Sequence, residues 1–229
     1  MNFDETERQK NNQLAHKTLL DEYGKDILPF YHPSTLLIKR ITSRILEALD
    51  KIPEFKNSRK DYQIGVVKSP ETNAVVLPGG QVFVFTGIIS VTKNDSEIAS
   101  IIGHEIAHRL LEHHEEKLSM LTLLSWLNVL SQTFVSPNIR VFNELISSLV
   151  FLLPNSRKME LEADRIGLYL MAYACFDPSK AVDFWQRFDQ TSRSARPAIF
   201  STHPSNPNRI KRLAEILPDV QKLHCSICR

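Results

Sequence analysis

Residues 101–109 constrain the fold of this chain most strongly, because they place two histidines four positions apart inside an apolar run. In a helix, His104 and His108 lie about one turn apart and project from the same face. Both imidazoles can then bind one Zn²⁺ ion at roughly 2.0–2.1 Å. Glu105 points partly to the side, where it can take a proton from a water that the metal has acidified. The pattern predicts a helix that carries two metal ligands and a general base.

The alternative is a surface helix that carries these side chains by chance. The apolar residues 98–103 favour burial of the helix instead. The ring nitrogens of two buried histidines need hydrogen-bond partners or a metal ion, and a zinc ion can bind both rings. We therefore expect one Zn²⁺ ion per chain.

Composition indicates one globular domain spanning residues 1–229, with 42% apolar and 24% charged residues. A net charge of +2 is too small to indicate a nucleic-acid partner. Residues 1–12 are polar and partly acidic, which predicts neither a secretory signal nor a transit peptide. No stretch reaches the roughly 20 apolar residues that span a bilayer, so an intracellular soluble or peripheral protein is expected.

The three cysteines are too few for the disulfide framework of a small secreted protein. Cys225 and Cys228 have the spacing of a redox or metal pair, but no second pair stands upstream. His224 would add only a third ligand. Residues 219–229 are therefore predicted to be a mobile tail.

Hydrophobic periodicity predicts a mainly α fold with a small antiparallel β-sheet (α+β). The His104-Glu105-x-x-His108 motif would give its central helix a zincin-like metal site. Residues 12–50 have a helical pattern. Short β-branched and aromatic runs at 62–67, 73–77 and 81–86 predict a hairpin or meander. In a protease, a sheet edge near 81–85 can hold an extended substrate by main-chain pairing.

Asn94 and Glu97 form a capping-box pattern that starts the metal helix. The apolar pattern continues this helix to Leu118. On such a helix, His113 lies well off the face of the two metal ligands, and residues 112–116 form a solvated face.

Residues 118–153 contain two apolar arms around a turn, each too short for an ordinary membrane span. A buried helical hairpin is the simplest interpretation. The alternatives are a hairpin that makes a peripheral membrane contact and a lid over the site. Three further helices are predicted, at 156–174, from Asp177-Pro178 onwards, and from Asn206-Pro207 to Pro218.

A catalytic zinc needs a third protein ligand besides two histidines. Glu160 and Asp164 are four residues apart on a predicted helix, so their carboxylates share one face. Either can complete the metal shell while the other accepts the free N–H of a ligand histidine. Spacing does not decide which of the two binds the metal. The alternative is that neither does and that both are acidic residues on an exposed helix.

Two sequence strings resemble one family of enzymes. Residues 103–108 and 160–167 are similar to the membrane-associated zinc metallopeptidases that include HtpX, BepA and the CAAX-type prenyl proteases. That family combines His-Glu-x-x-His with a downstream Glu-x-x-x-Asp. Residues 73–80 resemble its strand before the zinc helix, and Thr202-His203-Pro204 with Arg209-Ile210 resembles a late element of the family.

The resemblance implies roles for individual residues. It makes Glu160 the third zinc ligand, Asp164 a partner of a ligand histidine, and Glu105 the general base. His203 would donate a hydrogen bond to the developing oxyanion or block the metal in a latent state. Packing under a proline turn is the structural alternative for His203.

The resemblance also implies a function. The chain would be a zinc-dependent metalloendopeptidase of protein quality control, cutting membrane-associated or misfolded proteins that bind as extended strands. Residues 23–29 are most similar to the mitochondrial inner-membrane stress proteases whose activity overlaps that of the m-AAA protease, which implies that location. The alternative is a latent enzyme or a zinc-stabilised, chaperone-like module that binds clients without cutting them. Such a module would not need Glu105.

Overall fold

The structure is a computed structural model, which describes residues 5–56, 58–59, 62–117, 119, 154–191, 199, 203 and 207–228. Its helices are α1 (Glu5–Tyr23), α2 (Pro33–Leu49), α3 (Thr86–Val91), α4 (Asp95–Leu110), α5 (Pro154–Tyr173), α6 (Ser179–Thr191) and α7 (Pro207–Ile227). Short 3₁₀ helices are at Gly24–Asp26 and Pro53–Phe55. The strands are β1 (Gln63–Val67), β2 (Ala74–Val76) and β3 (Gln81–Phe85). The predicted mainly helical α+β class is confirmed.

The apolar hairpin predicted at 118–153 lies outside the described residues, apart from residue 119. Within the described part of the chain, no helix combines the length and apolar character that crossing a bilayer requires.

The sheet is mixed, with strand order β1–β3–β2. β3 pairs in parallel with β1 and antiparallel with β2. The antiparallel prediction is therefore correct for the β2–β3 hairpin and wrong for β1–β3. Residues 68–80, which include β2, connect β1 to β3. This connection is long enough for β3 to return parallel to β1.

This topology makes β3 the central strand, so the predicted substrate-binding edge near 81–85 is wrong. The main-chain groups of a central strand are already paired on both sides. β1 and β2 are the two outer strands, and β2 packs beside α4.

The core lies between the sheet and the helices that support α4. One face of α2 is buried at helical spacing through Ile38, Ile41 and Ile45, each fully inaccessible to solvent. α2 packs on α4, α5 and β1. Burial of such side chains contributes roughly 1.5–3 kcal/mol each, so the core fixes α4 firmly.

α4 and α5 cross where two glycines face each other. A Cβ added at Gly167 would lie 3.0 Å from the backbone nitrogen of His104, and one at Gly103 would lie 3.2 Å from the Gly167 carbonyl oxygen. Residues without a side chain allow the two backbones to approach this closely. The crossing brings His104 next to the acidic residues of α5.

Replacing Gly167 by alanine is expected to lower the free energy of unfolding by about 1–2 kcal/mol. Overpacking at the crossing costs about 1–3 kcal/mol, and the better helix propensity of alanine offsets at most about 1 kcal/mol. Equilibrium urea unfolding measures the change. Gly24→Ala is the matched control, since its added Cβ would meet only an ordinary contact at 4.0 Å. Equal stability of the two variants would contradict the close packing.

α7 continues through Pro218 to Ile227, so the predicted helix end at Pro218 is wrong. Pro218 is exposed, where the carbonyl that loses its intrahelical partner can bond to water. Beyond it, Val220 is fully buried, and Cys228 forms a disulfide with Cys175. Residues 219–227, expected to be a mobile tail, are therefore helical and held to the core, while Cys225 is a free, exposed thiol.

Candidate metal centre

The start of α4 is fixed by polar contacts. The Glu97 backbone N–H donates to Asn94 Oδ1 at 3.0 Å, which confirms the predicted N-cap. The Glu97 carboxylate accepts from the Lys93 backbone N–H at 2.8 Å, one residue earlier than a standard capping box. Arg187 of α6 pairs with the same carboxylate at 2.6 Å. These contacts fix the position of α4 in the core.

The end of α4 differs from the prediction. The helix stops at Leu110, and Glu112 adopts a positive φ of 54° before a separate helical segment at 113–117. The predicted continuation to Leu118 is therefore wrong. Nothing in the sequence indicates this turn, because glycine and asparagine are the usual residues at positive φ. The turn carries His113 back to His108, so His113 is 2% exposed instead of solvated.

Four buried side chains converge at the centre of the molecule. His104, His108, Glu160 and His203 each offer one ligand atom, and these atoms lie within 4.8 Å of one another. The Nε2 atoms of His104 and His108 are 3.0 Å apart. Glu160 Oε2 lies 3.3 Å from His104 Nε2, and Glu160 Oε1 lies 3.4 Å from His108 Nε2. The three residues expected to bind metal are thus brought together.

The chemistry of this cluster fits a zinc ion. Burial lowers the pKa of His108 to about 3, so its imidazole is neutral. Its Nδ1 faces His113 and its Nε2 faces Glu160, so a proton on Nδ1 leaves the Nε2 lone pair available to a cation. A metal cation among these buried imidazole nitrogens and carboxylate oxygens would stabilise their converging lone pairs. Two histidine nitrogens and one carboxylate oxygen are a known ligand set of catalytic zinc.

Asp164 lies outside this cluster and behind His104. Its Oδ1 is 2.9 Å from His104 Nδ1. Arg209 of α7 donates to both Asp164 oxygens, through Nε at 2.7 Å and Nη2 at 2.8 Å. Burial raises the pKa of Asp164, but the Arg209 guanidinium outweighs this and lowers it to about 2. An ionised Asp164 orients His104 so that its Nε2 faces Glu160.

The sequence places Arg209 in a late element of the family but does not predict a role for it. The structure shows it 3% exposed, with its guanidinium 4.3 Å from the centre of the Trp185 ring. Its distance of forty-five positions from Asp164 in the sequence explains why spacing could not reveal the pair.

Glu105 and His203 form the remaining part of the site. His203 Nε2 lies 3.1 Å from Glu105 Oε1, and its Nδ1 lies 3.1 Å from Glu160 Oε1. Burial opposes protonation of His203, but these carboxylates raise its pKa to about 10. Burial also raises the pKa of Glu105, yet His203 and the other histidines lower it to about 2. Glu105 is therefore ionised, as a proton acceptor must be.

A cavity of about 720 Å³ opens beside these residues. Its ionisable lining includes Glu105, His108, His113, His114 and His203. Its walls come from one face of α1 and from β2 with the residues that follow it, including Ala15, Leu19, Tyr23, Val75 and Leu77. Arg8 of α1 pairs with Glu115 at 2.9 Å, which fixes α1 across the cavity. The cavity is mainly apolar and meets the ionisable cluster at one end.

Comparisons with known proteins agree with this geometry. Residues 37–217 match the family described as Peptidase family M48. The chain is 39% identical over 91% of its length to the mitochondrial metalloendopeptidase OMA1 of Schizosaccharomyces pombe, and covers 60% of that protein. It is 33% identical over 93% of its length to the human mitochondrial metalloendopeptidase OMA1, and covers 43% of it. It is 30% identical over 66% of its length to the beta-barrel assembly-enhancing protease of Yersinia pestis, and covers 34% of it.

Proposed function

Because the chain belongs to Peptidase family M48, we propose that it is a zinc-dependent metalloendopeptidase. The observation that carries this proposal is the buried convergence of His104, His108 and Glu160 beside Glu105. The two mitochondrial relatives are named metalloendopeptidases, although the chain spans only 60% and 43% of their lengths. We propose that residues 1–229 form a single metallopeptidase domain.

His104, His108 and Glu160 would hold the ion in this proposal. Zinc bound there would act as a Lewis acid and lower the pKa of water. Glu105 takes the proton from the attacking water and passes it to the leaving amine. Asp164, held by Arg209, keeps His104 in the tautomer that presents Nε2 to the ion.

His203 is proposed as a donor to the oxygen of the scissile carbonyl. Two carboxylates hold it in its protonated form, so both of its ring nitrogens carry a proton, and one of them would turn from its carboxylate to the carbonyl oxygen. Such a donor stabilises negative charge that develops on the carbonyl oxygen. Its position beside Glu105 puts it next to the reacting groups.

The substrate is proposed to be an extended protein segment that lies in the cavity. β2 is an outer strand that lines the cavity, so its main chain is positioned to pair with an extended peptide. α1 forms the opposite wall, which admits an unfolded strand more readily than a folded domain. Misfolded or membrane-associated proteins supply such segments, in agreement with a role in protein quality control.

The mitochondrial names of the relatives support a mitochondrial location, proposed here at the inner membrane. Residues 118–153 are proposed to supply peripheral membrane contact or to cover the site. If deletion of residues 121–150 does not increase peptide cleavage, the proposal that this segment covers the site fails.

A latent enzyme is the second candidate, favoured by the position of His203. Its Nδ1 lies 3.2 Å from His104 Nε2 as well as against Glu160, so it occupies space next to the ligand atoms. In that case His203 would have to move before water and substrate reach the site.

Cleavage of an unfolded model protein tests the proposed function. Zinc-loaded protein is expected to cut it, a chelator to stop the cutting, and added zinc to restore it. Zinc-dependent binding of the unfolded protein without any cutting would instead favour the client-binding module.

A further inference from the structure

His113 lies behind His108, on the side opposite the converging ligand atoms. The Nδ1 atoms of the two rings are 2.8 Å apart, which is within hydrogen-bond distance. His113 is 2% exposed and its Nε2 lies 3.4 Å from Glu162 Oε2 on α5. The three side chains therefore form a row that runs from the surface to the metal centre.

The protons in this row have one consistent arrangement. If His108 gives its Nε2 lone pair to a metal, its proton must be on Nδ1. His113 Nδ1 must then accept that proton's hydrogen bond, which leaves the His113 proton on Nε2, facing Glu162. Each ring nitrogen in the row has one role, and both imidazoles are neutral.

We propose that His113 is a positioning residue for the metal ligand His108, with Glu162 fixing the tautomer of His113. This inference rests on the proposed zinc centre. His113 holds the His108 ring in the orientation and tautomer that a metal requires, and it raises the basicity of the ligand nitrogen.

The other ligand histidine is held in a corresponding way. His104 Nδ1 faces Asp164, which Arg209 holds in place. Each ligand histidine thus has its own partner behind it, one a carboxylate and one an imidazole. The turn at Glu112, with its φ of 54°, is the feature of the chain that delivers the second partner.

Zinc affinity, measured by competition with a chromophoric chelator, tests the proposal in the full chain. His113→Leu removes the acceptor and keeps the volume roughly similar, so it is expected to weaken zinc binding by about 10–100-fold. His113→Asn is expected to stay near the wild-type affinity, because its Oδ1 can take the place of His113 Nδ1 as acceptor. A packing role alone would not distinguish leucine from asparagine in this way.

Equal zinc affinity of wild type and His113→Leu, or equal weakening in the leucine and asparagine variants, would overturn the proposal. If wild type binds no zinc, the proposed function fails together with this inference. If wild type binds zinc and the leucine variant binds it equally well, this inference alone fails.

Should His113→Leu fail to fold, Glu162→Ala decides. The Glu162 side chain is 44% exposed, so its removal leaves the core intact. Weaker zinc binding is expected, because the tautomer of His113 is no longer fixed, and wild-type affinity would overturn the proposal. Lys158→Ala is the matched control on the same helix, since this 74% exposed side chain contacts Glu162 but not His113 in the described structure.

Discussion

Replacement of Glu105 by glutamine is expected to lower kcat/KM for peptide hydrolysis by about 10²–10⁴-fold, the usual contribution of a general base. Glutamine has nearly the same shape, and its Oε1 can keep the 3.1 Å contact with His203 Nε2. It cannot take up a proton. The three proposed ligands are unchanged, so zinc should remain bound.

Steady-state cleavage rates and zinc content of the same preparations check this prediction. Glu47→Gln is the control, because it makes the same substitution at a side chain that is 58% exposed. A Glu105→Gln variant with zinc and nearly full activity would show that another group accepts the proton. A variant that loses its zinc would show that Glu105 supports the metal instead.

Arg209→Ala is expected to lower the free energy of unfolding by about 3–5 kcal/mol. Arg209 and Asp164 each have about 4% of the side chain exposed, and Arg209 is bidentate to the carboxylate. Removing the guanidinium leaves a buried negative charge without its cation. The cost of that uncompensated charge is larger than the net contribution of the pair itself.

Urea unfolding in the presence of a chelator isolates this effect from zinc binding. Arg59→Ala is the control, since Arg59 pairs with Asp50 at 3.0 Å but is 47% exposed; its loss should cost at most about 1 kcal/mol. The double variant Arg209→Met with Asp164→Asn should recover part of the stability, because the charge at position 164 is removed together with its cation. Equal losses for Arg209→Ala and Arg59→Ala would contradict the account.

Local patterns in the sequence predicted much of the fold and of the candidate site. The spacing of His104 and His108 places both rings on one helical face whatever surrounds them. The caps of α4 and the strand runs also depend on residues near in sequence. The choice of Glu160 over Asp164 needed the family resemblance, and the structure agrees with it by placing Glu160 in the cluster and Asp164 behind it.

The features that the sequence did not predict depend on contacts between distant residues. β3 lies in the middle of the sheet because of the path of residues 68–80, which no strand propensity encodes. α7 passes Pro218 because Val220 and the Cys175–Cys228 disulfide lie beyond it. His113 behind His108 likewise comes from a positive-φ turn, and Arg209 behind Asp164 comes from α7.

A zinc-edge anomalous difference map from crystals of the zinc-loaded chain tests the proposed metal centre itself. We expect one peak at about 2.0–2.2 Å from His104 Nε2, His108 Nε2 and a Glu160 carboxylate oxygen, with Asp164 bonded to His104 and not to the ion. A peak bound by Asp164 in place of Glu160 would reverse the ligand assignment. No peak at this cluster in zinc-saturated crystals would contradict the proposed metal centre and the function built on it.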